Sequence, residues 1–82
     1  MPERVEDGVN YRGHIFVVTV RNFEGRGFLD LFEIRQNMGG ISGNSLVTRF
    51  TLPEEAAAIF GSYAKAAASA EMRAKLWIDG QL

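Results

Sequence analysis

Few side chains in this sequence have the chemistry of a catalytic or metal-binding group. His14 is the only histidine among 82 residues, and a lone histidine acts as a general base only beside a nucleophile or an acid, which the sequence does not identify. Asp30 and Glu33 are an odd number of positions apart in a predicted strand, so we expect them on opposite faces. Glu54 and Glu55 are explained by the start of a predicted helix, where acidic side chains oppose the positive end of the helix dipole. We therefore expect no catalysis, no metal site and no cofactor.

A glycine-rich stretch at residues 38–45, MGGISGNS, has a superficial likeness to a phosphate-binding loop. The phosphate-binding signature is GxxxxGK[ST] at the start of a helix. Here the stretch contains no lysine and leads into a predicted strand. We interpret residues 36–45 as a flexible hairpin loop, which could serve partner contact.

Arginines and aromatic residues are interleaved along the first half of the chain. Surfaces that bind single-stranded nucleic acids combine aromatic platforms with basic side chains in this way, and the predicted order of strands and helix is loosely similar to the repeats of PUR-type single-strand binders. The chain nevertheless carries nine Lys and Arg against ten Asp and Glu, a net charge of −1, whereas phosphate binding favours a basic excess. Single-stranded nucleic-acid binding is therefore the alternative function, with candidate contacts Arg21, Arg26, Arg35 and Arg49.

The length allows one domain with a thin hydrophobic core. We expect a flexible N-terminal tail over residues 1–10, which holds four charged residues, and a single domain over 11–82. Small domains often add a disulfide, a metal or a partner subunit; with no cysteine and one histidine, self-association is the device that remains. The N-terminal stretch lacks the apolar region of a secretory signal, and an apolar run such as Ile15–Val18 is far too short to span a membrane. Together with the lack of cysteine, this favours a cytoplasmic location.

Three β-strands are predicted before the helix. Residues 14–20, HIFVVTV, are β-branched and aromatic, as is typical of a strand. After a turn that contains Gly25 and Gly27, a second strand covers residues 28–35 and a third covers 46–51. Because the connections are short, the three strands should form an antiparallel meander, which gives an α+β fold.

A helix is predicted after the third strand. Thr51 and Glu54 have the spacing of a capping box, and apolar residues then recur at spacings of three and four as far as Trp77. A helix over residues 52–78 would be about 40 Å long, against about 25 Å for the strands. The sequence therefore predicts a C-terminal helix or a broken helix pair (β-β-β-α). Gly61-Ser62 and Ser69 are the candidate break points.

Both faces of the predicted sheet are apolar. Alternate residues of a strand point to opposite faces, which places an aromatic set that includes Phe16, Phe32 and Phe50 under the helix. The other face should be mainly polar if it meets water, yet it also carries apolar residues. Such a patch usually marks an interface, although a C-terminal segment folded over it, or a bulge that swaps one strand's faces, would also explain it. The candidate interface consists of Ile15, Val17, Leu29, Leu31 and Val47.

Two short stretches near the ends of the domain resemble a known group. Tyr11-Arg12-Gly13 precedes the first strand, and Ala74-Lys75-Leu76-Trp77-Ile78-Asp79 closes the helix. Together they resemble short, uncharacterised proteobacterial proteins that begin with a Tyr-x-Gly turn and end with a helix carrying Trp-Ile-Asp. This chain departs from them by a longer stretch before Trp77. The resemblance implies a compact β-β-β-α domain, with Trp77 and Ile78 as an anchor on the sheet, and supplies no activity.

These observations favour a non-enzymatic protein–protein interaction module. We expect it to form a homodimer or to bind another protein, through the second face of the sheet or the loop at residues 36–45. Nucleic-acid binding through the arginines named above is the alternative.

Overall fold

The computed structural model describes residues 3–4, 8–37 and 46–82. Within these ranges the chain is an α+β fold in which an antiparallel sheet is followed by a C-terminal helix, as the sequence predicts, but the sheet has six strands rather than three. The elements, in chain order, are β1 (Glu3–Arg4), β2 (Val9–Tyr11), β3 (His14–Asn22), β4 (Phe28–Asn37), β5 (Leu46–Thr51), a 3₁₀ turn (Glu54–Ala56), β6 (Ile59–Phe60) and α1 (Tyr63–Asp79).

Two long strands, β3 and β4, organise the sheet. They pair antiparallel from Ile15 opposite Arg35 to Asn22 opposite Phe28. β1 and β2 share the other edge of β3, while β5 and β6 share the other edge of β4. The predicted meander β3-β4-β5 is thus the centre of a larger sheet, to which short strands are added on both sides.

The stretch predicted as a tail, residues 1–10, contributes to that addition. It supplies β1 and most of β2, both paired with β3. A two-residue turn joins β2 to β3, with positive φ angles at Arg12 (49°) and Gly13 (83°). Positive φ at both central residues is the requirement of a type I′ hairpin, which explains the glycine at the second position. Most of the loop predicted at residues 36–45 lies outside the described residues; Gln36 and Asn37 end β4.

The core lies between one face of the sheet and α1. The sheet contributes alternate residues of β3 and β4, as their period of two requires, and α1 contributes a row of small residues spaced by four that ends in Ile78. Alanines at these positions let the helix backbone approach the sheet closely. The buried cluster consists of Phe16, Val18, Val20, Phe32, Ile34, Leu52, Ala66, Ala70, Ala74 and Ile78.

The helix begins eleven residues later than its capping signature predicts. Thr51 belongs to β5, and Glu54 starts the 3₁₀ turn. The N-cap of α1 is Ser62, whose Oγ accepts a hydrogen bond from the backbone N–H of Lys65 at 3.2 Å. The predicted start was therefore wrong, and α1 begins directly after Gly61-Ser62, one of the two predicted break points. The helix is then continuous to Asp79.

α1 is the one α-helix in the part of the chain that the structure describes, and it is neither long nor apolar enough to cross a membrane.

Candidate interaction surface

The apolar patch predicted on the second face of the sheet is partly covered within the chain. Val17 and Leu29 are only 5% and 3% exposed, and Ile15 and Leu31 are half-buried. Gly8, just before β2, lies over this face: a Cβ atom there would be 3.0 Å from Ile15 Cγ2. Four of the five predicted interface residues therefore share a face, but half of them have little surface left to offer a partner.

The fifth residue, Val47, lies apart from the other four. The pairing of β4 with β5 shifts by one residue, so that Arg49 is an unpaired insertion between Thr48 and Phe50. A bulge of this kind exchanges the faces on its two sides. Val47 consequently pairs with Gln36 on the helix side of the sheet, where it is 41% exposed.

The four arginines proposed for nucleic-acid contact are largely engaged with neighbouring side chains. Arg21 forms an ion pair with Glu54, and Arg49 donates a hydrogen bond to Gln36 Oε1. Arg35 Nε lies 2.9 Å from a carboxylate oxygen of Glu33, and this hydrogen bond, with the attraction between the charges, raises the pKa of Arg35 above its ordinary value.

The same arginines are also far apart along the sheet. Arg21 lies opposite Leu29, and Arg35 is six positions further along β4, a separation of about 20 Å at about 3.3 Å per residue. Arg26 lies in the β3–β4 turn, near Arg21 rather than near Arg35. The positive charges are therefore divided between the two ends of the sheet.

Asp30 and Glu33, considered above as a carboxylate pair, lie on opposite faces. Asp30 is fully buried beneath α1. Its Oδ1 accepts a hydrogen bond from the backbone N–H of Ala58 at 2.8 Å, and its Oδ2 accepts bonds from Ser69 Oγ at 2.7 Å and Arg73 Nη1 at 3.0 Å. We call this group the Asp30 clamp, because it joins β4, α1 and the segment before β6.

Arg73 extends the Asp30 clamp to the 3₁₀ turn. Its Nη2 donates a hydrogen bond to the carbonyl oxygen of Ala56 at 3.1 Å. Both carboxylate oxygens of Asp30 therefore accept hydrogen bonds within the fold. The donors are 28 to 43 positions away in the sequence, so no local pattern reveals them.

His14 is also buried and fixed in place. Its Nδ1 lies 3.2 Å from the carbonyl oxygen of Arg12, and its ring meets the ring of Trp77 edge to face, with centroids 6.4 Å apart. No group of three or more His, Asp or Glu side chains with the arrangement of a metal site occurs among residues 3–4, 8–37 and 46–82.

The two stretches that carry the resemblance meet in the fold. Tyr11 Oη donates to the carboxylate of Asp79, with distances of 3.1 and 3.2 Å to its two oxygens. Arg12 Nη1 lies 2.8 Å from Asp79 Oδ1, and this hydrogen bond, with the negative charge of Asp79, raises the pKa of Arg12. The β2–β3 hairpin is therefore tied to the end of α1.

The surface of α1 that faces away from the sheet carries a row of exposed apolar residues. Met72 and Leu76 are 56% and 62% exposed, and they continue at a spacing of four from Ala64 and Ala68, which are also exposed. Residues spaced by four lie on one side of a helix. We call Ala64, Ala68, Met72 and Leu76 the outer stripe.

Charged side chains border the outer stripe on one side. Lys75 Nζ lies 2.9 Å from Glu71 Oε2, a pairing between successive turns of the helix. These two residues line an open groove of about 420 Å³ together with Ala68, Met72 and Leu76 of the stripe, which form its apolar floor.

A second groove adjoins the first at Leu76. It has a volume of about 350 Å³ and is lined mainly by aromatic and aliphatic side chains. The rings of Phe50 and Trp77 are stacked along it, with centroids 5.5 Å apart. The outer stripe and this groove therefore form one continuous apolar surface along α1 and the edge of β5.

No protein-family model, curated protein or solved structure matches this chain.

Proposed function

We propose that this chain is a small, non-enzymatic protein–protein interaction module that associates with itself as a homodimer through the outer stripe of α1. The observation that carries the proposal is the exposure of Met72 and Leu76 on a helix whose opposite side already forms the core. Large apolar side chains that are spaced by four and more than half exposed are typical of a surface that a partner covers.

The second face of the sheet supports this role less well. Val17 and Leu29 are already buried, and Val47 lies on the other side. A partner there would gain area mainly from Ile15 and Leu31, which are half-buried. Because the free energy of association depends on the apolar area removed from water, the outer stripe is the stronger candidate.

Two further parts of the proposal concern chemistry and location. The absence of catalysis is supported by the full engagement of Asp30, and a cytoplasmic location is supported by the lack of cysteine. Single-stranded nucleic-acid binding has less support, because Arg21 and Arg35 are each paired with a carboxylate. No observation on the described residues favours it over self-association.

The expected dimer is weak. α1 has 17 residues and is therefore about 25 Å long and, with side chains, about 10 Å wide, so that two such helices cover much less than the roughly 800 Å² per partner of a standard interface. We expect a dissociation constant in the micromolar range or above, and the association should be measured up to about 1 mM, where a weak dimer is populated.

The test is sedimentation equilibrium of three proteins: the wild type, Leu76→Lys and Leu82→Lys. Burial of a leucine stabilises by about 1.5–3 kcal/mol, so Leu76→Lys should raise the dissociation constant at least about tenfold. Leu82→Lys is the matched control, since Leu82 is equally exposed (66%) but lies beyond α1. A wild type that stays monomeric at the highest concentration, or equal effects of the two changes, would overturn the proposal.

A further inference from the structure

We infer that the partner on the outer stripe is a second copy of α1 that runs antiparallel to the first, with the two-fold axis at Met72. This inference rests on the self-association proposed above and adds its geometry. Two features of the helix support it: small and large apolar residues lie at equal distances on either side of Met72, and so do opposite charges on the centre line of the stripe.

The apolar residues fit an antiparallel pair because small and large side chains lie at equal distances from Met72. Ala68 is four residues before Met72 and Leu76 is four residues after it. In an antiparallel pair centred on Met72, each Leu76 therefore lies level with Ala68 of the other copy, and Met72 meets its own counterpart. In a parallel pair the two Leu76 side chains would meet each other, and so would the two Ala68 side chains, which leaves a gap at the alanines.

The charges along the stripe discriminate between the two directions. Lys65 and Asp79 are each seven residues from Met72, and at about 100° per residue they lie within about 20° of its direction. A parallel pair would place Lys65 beside Lys65 and Asp79 beside Asp79. An antiparallel pair places each Lys65 beside Asp79 of the other copy, which turns two repulsions into two attractions.

The charged border of the stripe also depends on the direction of the pair. In an antiparallel two-fold pair, each border of the stripe meets the same border of the other copy. Glu71 and Lys75, which pair within one helix, are then close to Glu71 and Lys75 of the partner, so that two charges of each sign come together. In a parallel pair this border would meet the opposite border of the other copy, so the contact distinguishes the two directions.

Cysteine cross-linking reads out the direction without ambiguity, since the chain contains no cysteine. Met72→Cys should form a disulfide-linked dimer on mild oxidation. Leu76→Cys and the control Ala64→Cys should not, because their counterparts would be about 12 and 24 Å apart along the helix, whereas a disulfide requires Cα atoms within about 7 Å. A mixture of Leu76→Cys with Ala68→Cys should give a mixed dimer.

Charge exchange at the border provides an independent test of the direction. Glu71→Lys and Lys75→Glu should each associate at least fivefold more weakly than the wild type, since each places like charges across the border. An equimolar mixture of the two variants should recover the dimer mass, because every border contact in the mixed dimer pairs opposite charges. If the variants associate more weakly only because they lose the Glu71–Lys75 pair within one helix, the mixture should not recover the dimer mass.

The outcomes separate this inference from the proposal on which it rests. If the wild type forms no dimer, both self-association and the antiparallel arrangement are overturned. A dimer that Leu76→Lys weakens, but in which Leu76→Cys and Ala64→Cys cross-link with themselves, keeps self-association through the stripe and overturns the antiparallel arrangement. Cross-linking of Met72→Cys alone among the single variants, together with recovery on mixing, supports the antiparallel pair with its axis at Met72.

Discussion

Replacement of Asp30 by alanine should be the most damaging single change among the polar residues that the structure describes. The substitution removes the acceptor of three hydrogen bonds, from Ala58 N, Ser69 Oγ and Arg73 Nη1. Breaking a buried charged pair typically costs about 3–5 kcal/mol. The side chain of Arg73 is 33% exposed and regains some hydration, so we expect about 3–4 kcal/mol, a value at the low end of that range.

This loss is large against the whole stability of the domain, which for 82 residues should be about 4–12 kcal/mol. Urea unfolding followed by Trp77 fluorescence and circular dichroism is the assay. With a slope of about 1 kcal/mol per molar urea, the midpoint should fall by about 3 M with little change in slope. Should Asp30→Ala prove too unstable to measure, Asp30→Asn keeps the acceptor for Ala58 and should lose about 2–3 kcal/mol.

Asp79→Ala is the matched control, because Asp79 also accepts hydrogen bonds from several donors but its side chain is 38% exposed. Exposed pairs contribute little, so its loss should be about 1 kcal/mol or less. If Asp30→Ala lowers the free energy of unfolding no more than Asp79→Ala does, burial does not make the Asp30 clamp more stabilising than an exposed group, and the prediction is refuted.

Three further predictions concern the same unfolding assay. Tyr11→Phe removes the hydrogen bond to Asp79 at the end of α1 and should cost about 0.5–1 kcal/mol. A loss below about 0.3 kcal/mol would contradict a role for that contact, since a hydrogen bond typically contributes about 1 kcal/mol. Trp77→Ala, followed by circular dichroism, removes a half-buried ring stacked on an aromatic neighbour and should cost about 2–3 kcal/mol, less than for a fully buried tryptophan. Gly27→Ala should lower the free energy of unfolding by about 2 kcal/mol or more, since Gly27 has a φ of +144° and a Cβ atom there would lie 2.6 Å from a carbonyl oxygen of β6. Gly61→Ala is the control: the position has open space around it, and the substitution should leave the free energy of unfolding almost unchanged.

The start of α1 could not be predicted from local sequence. Thr51 and Glu54 satisfy the rules of a capping box, but Thr51 is held in β5, and Asp30 captures the backbone N–H of Ala58. Ile59 then pairs with Leu29 of β4. These are long-range interactions that outweigh a local preference. The lengths of the predicted elements did indicate a shorter helix, because a helix of about 40 Å exceeds strands of about 25 Å. In the structure the shorter helix has Ser62 as its N-cap.

The two edge strands β1 and β2 could not be predicted either, because they too depend on long-range pairing. β1 and β2 have few apolar residues, and their pairing depends on the free edge of β3 rather than on a pattern of their own. The one-residue shift at Arg49 likewise leaves no mark in the sequence, and it moved Val47 away from the predicted patch. The alternation along β3 and β4, by contrast, was sufficient to predict that Phe16 and Phe32 face the core.

The outer stripe could be predicted only in part from the sequence. The periodic stripe predicted for the helix is the buried side, which includes Ala70 and Ala74. Met72 and Leu76 do not belong to that stripe. They are exposed because α1 packs its other side, with Ala70 and Ala74, against the sheet. An apolar pair at a spacing of four off the core side was the available signal.

The most direct test of self-association through the outer stripe is a dilution series of ¹H–¹⁵N correlation spectra from about 1 mM to 20 μM, the range in which a weak dimer dissociates. Self-association through the outer stripe predicts that the amide signals of residues 64–76 move with concentration, most strongly near Met72, while those of Thr19 and Leu31 on the second sheet face do not. Signals that are independent of concentration, or shifts confined to the sheet face, would contradict it.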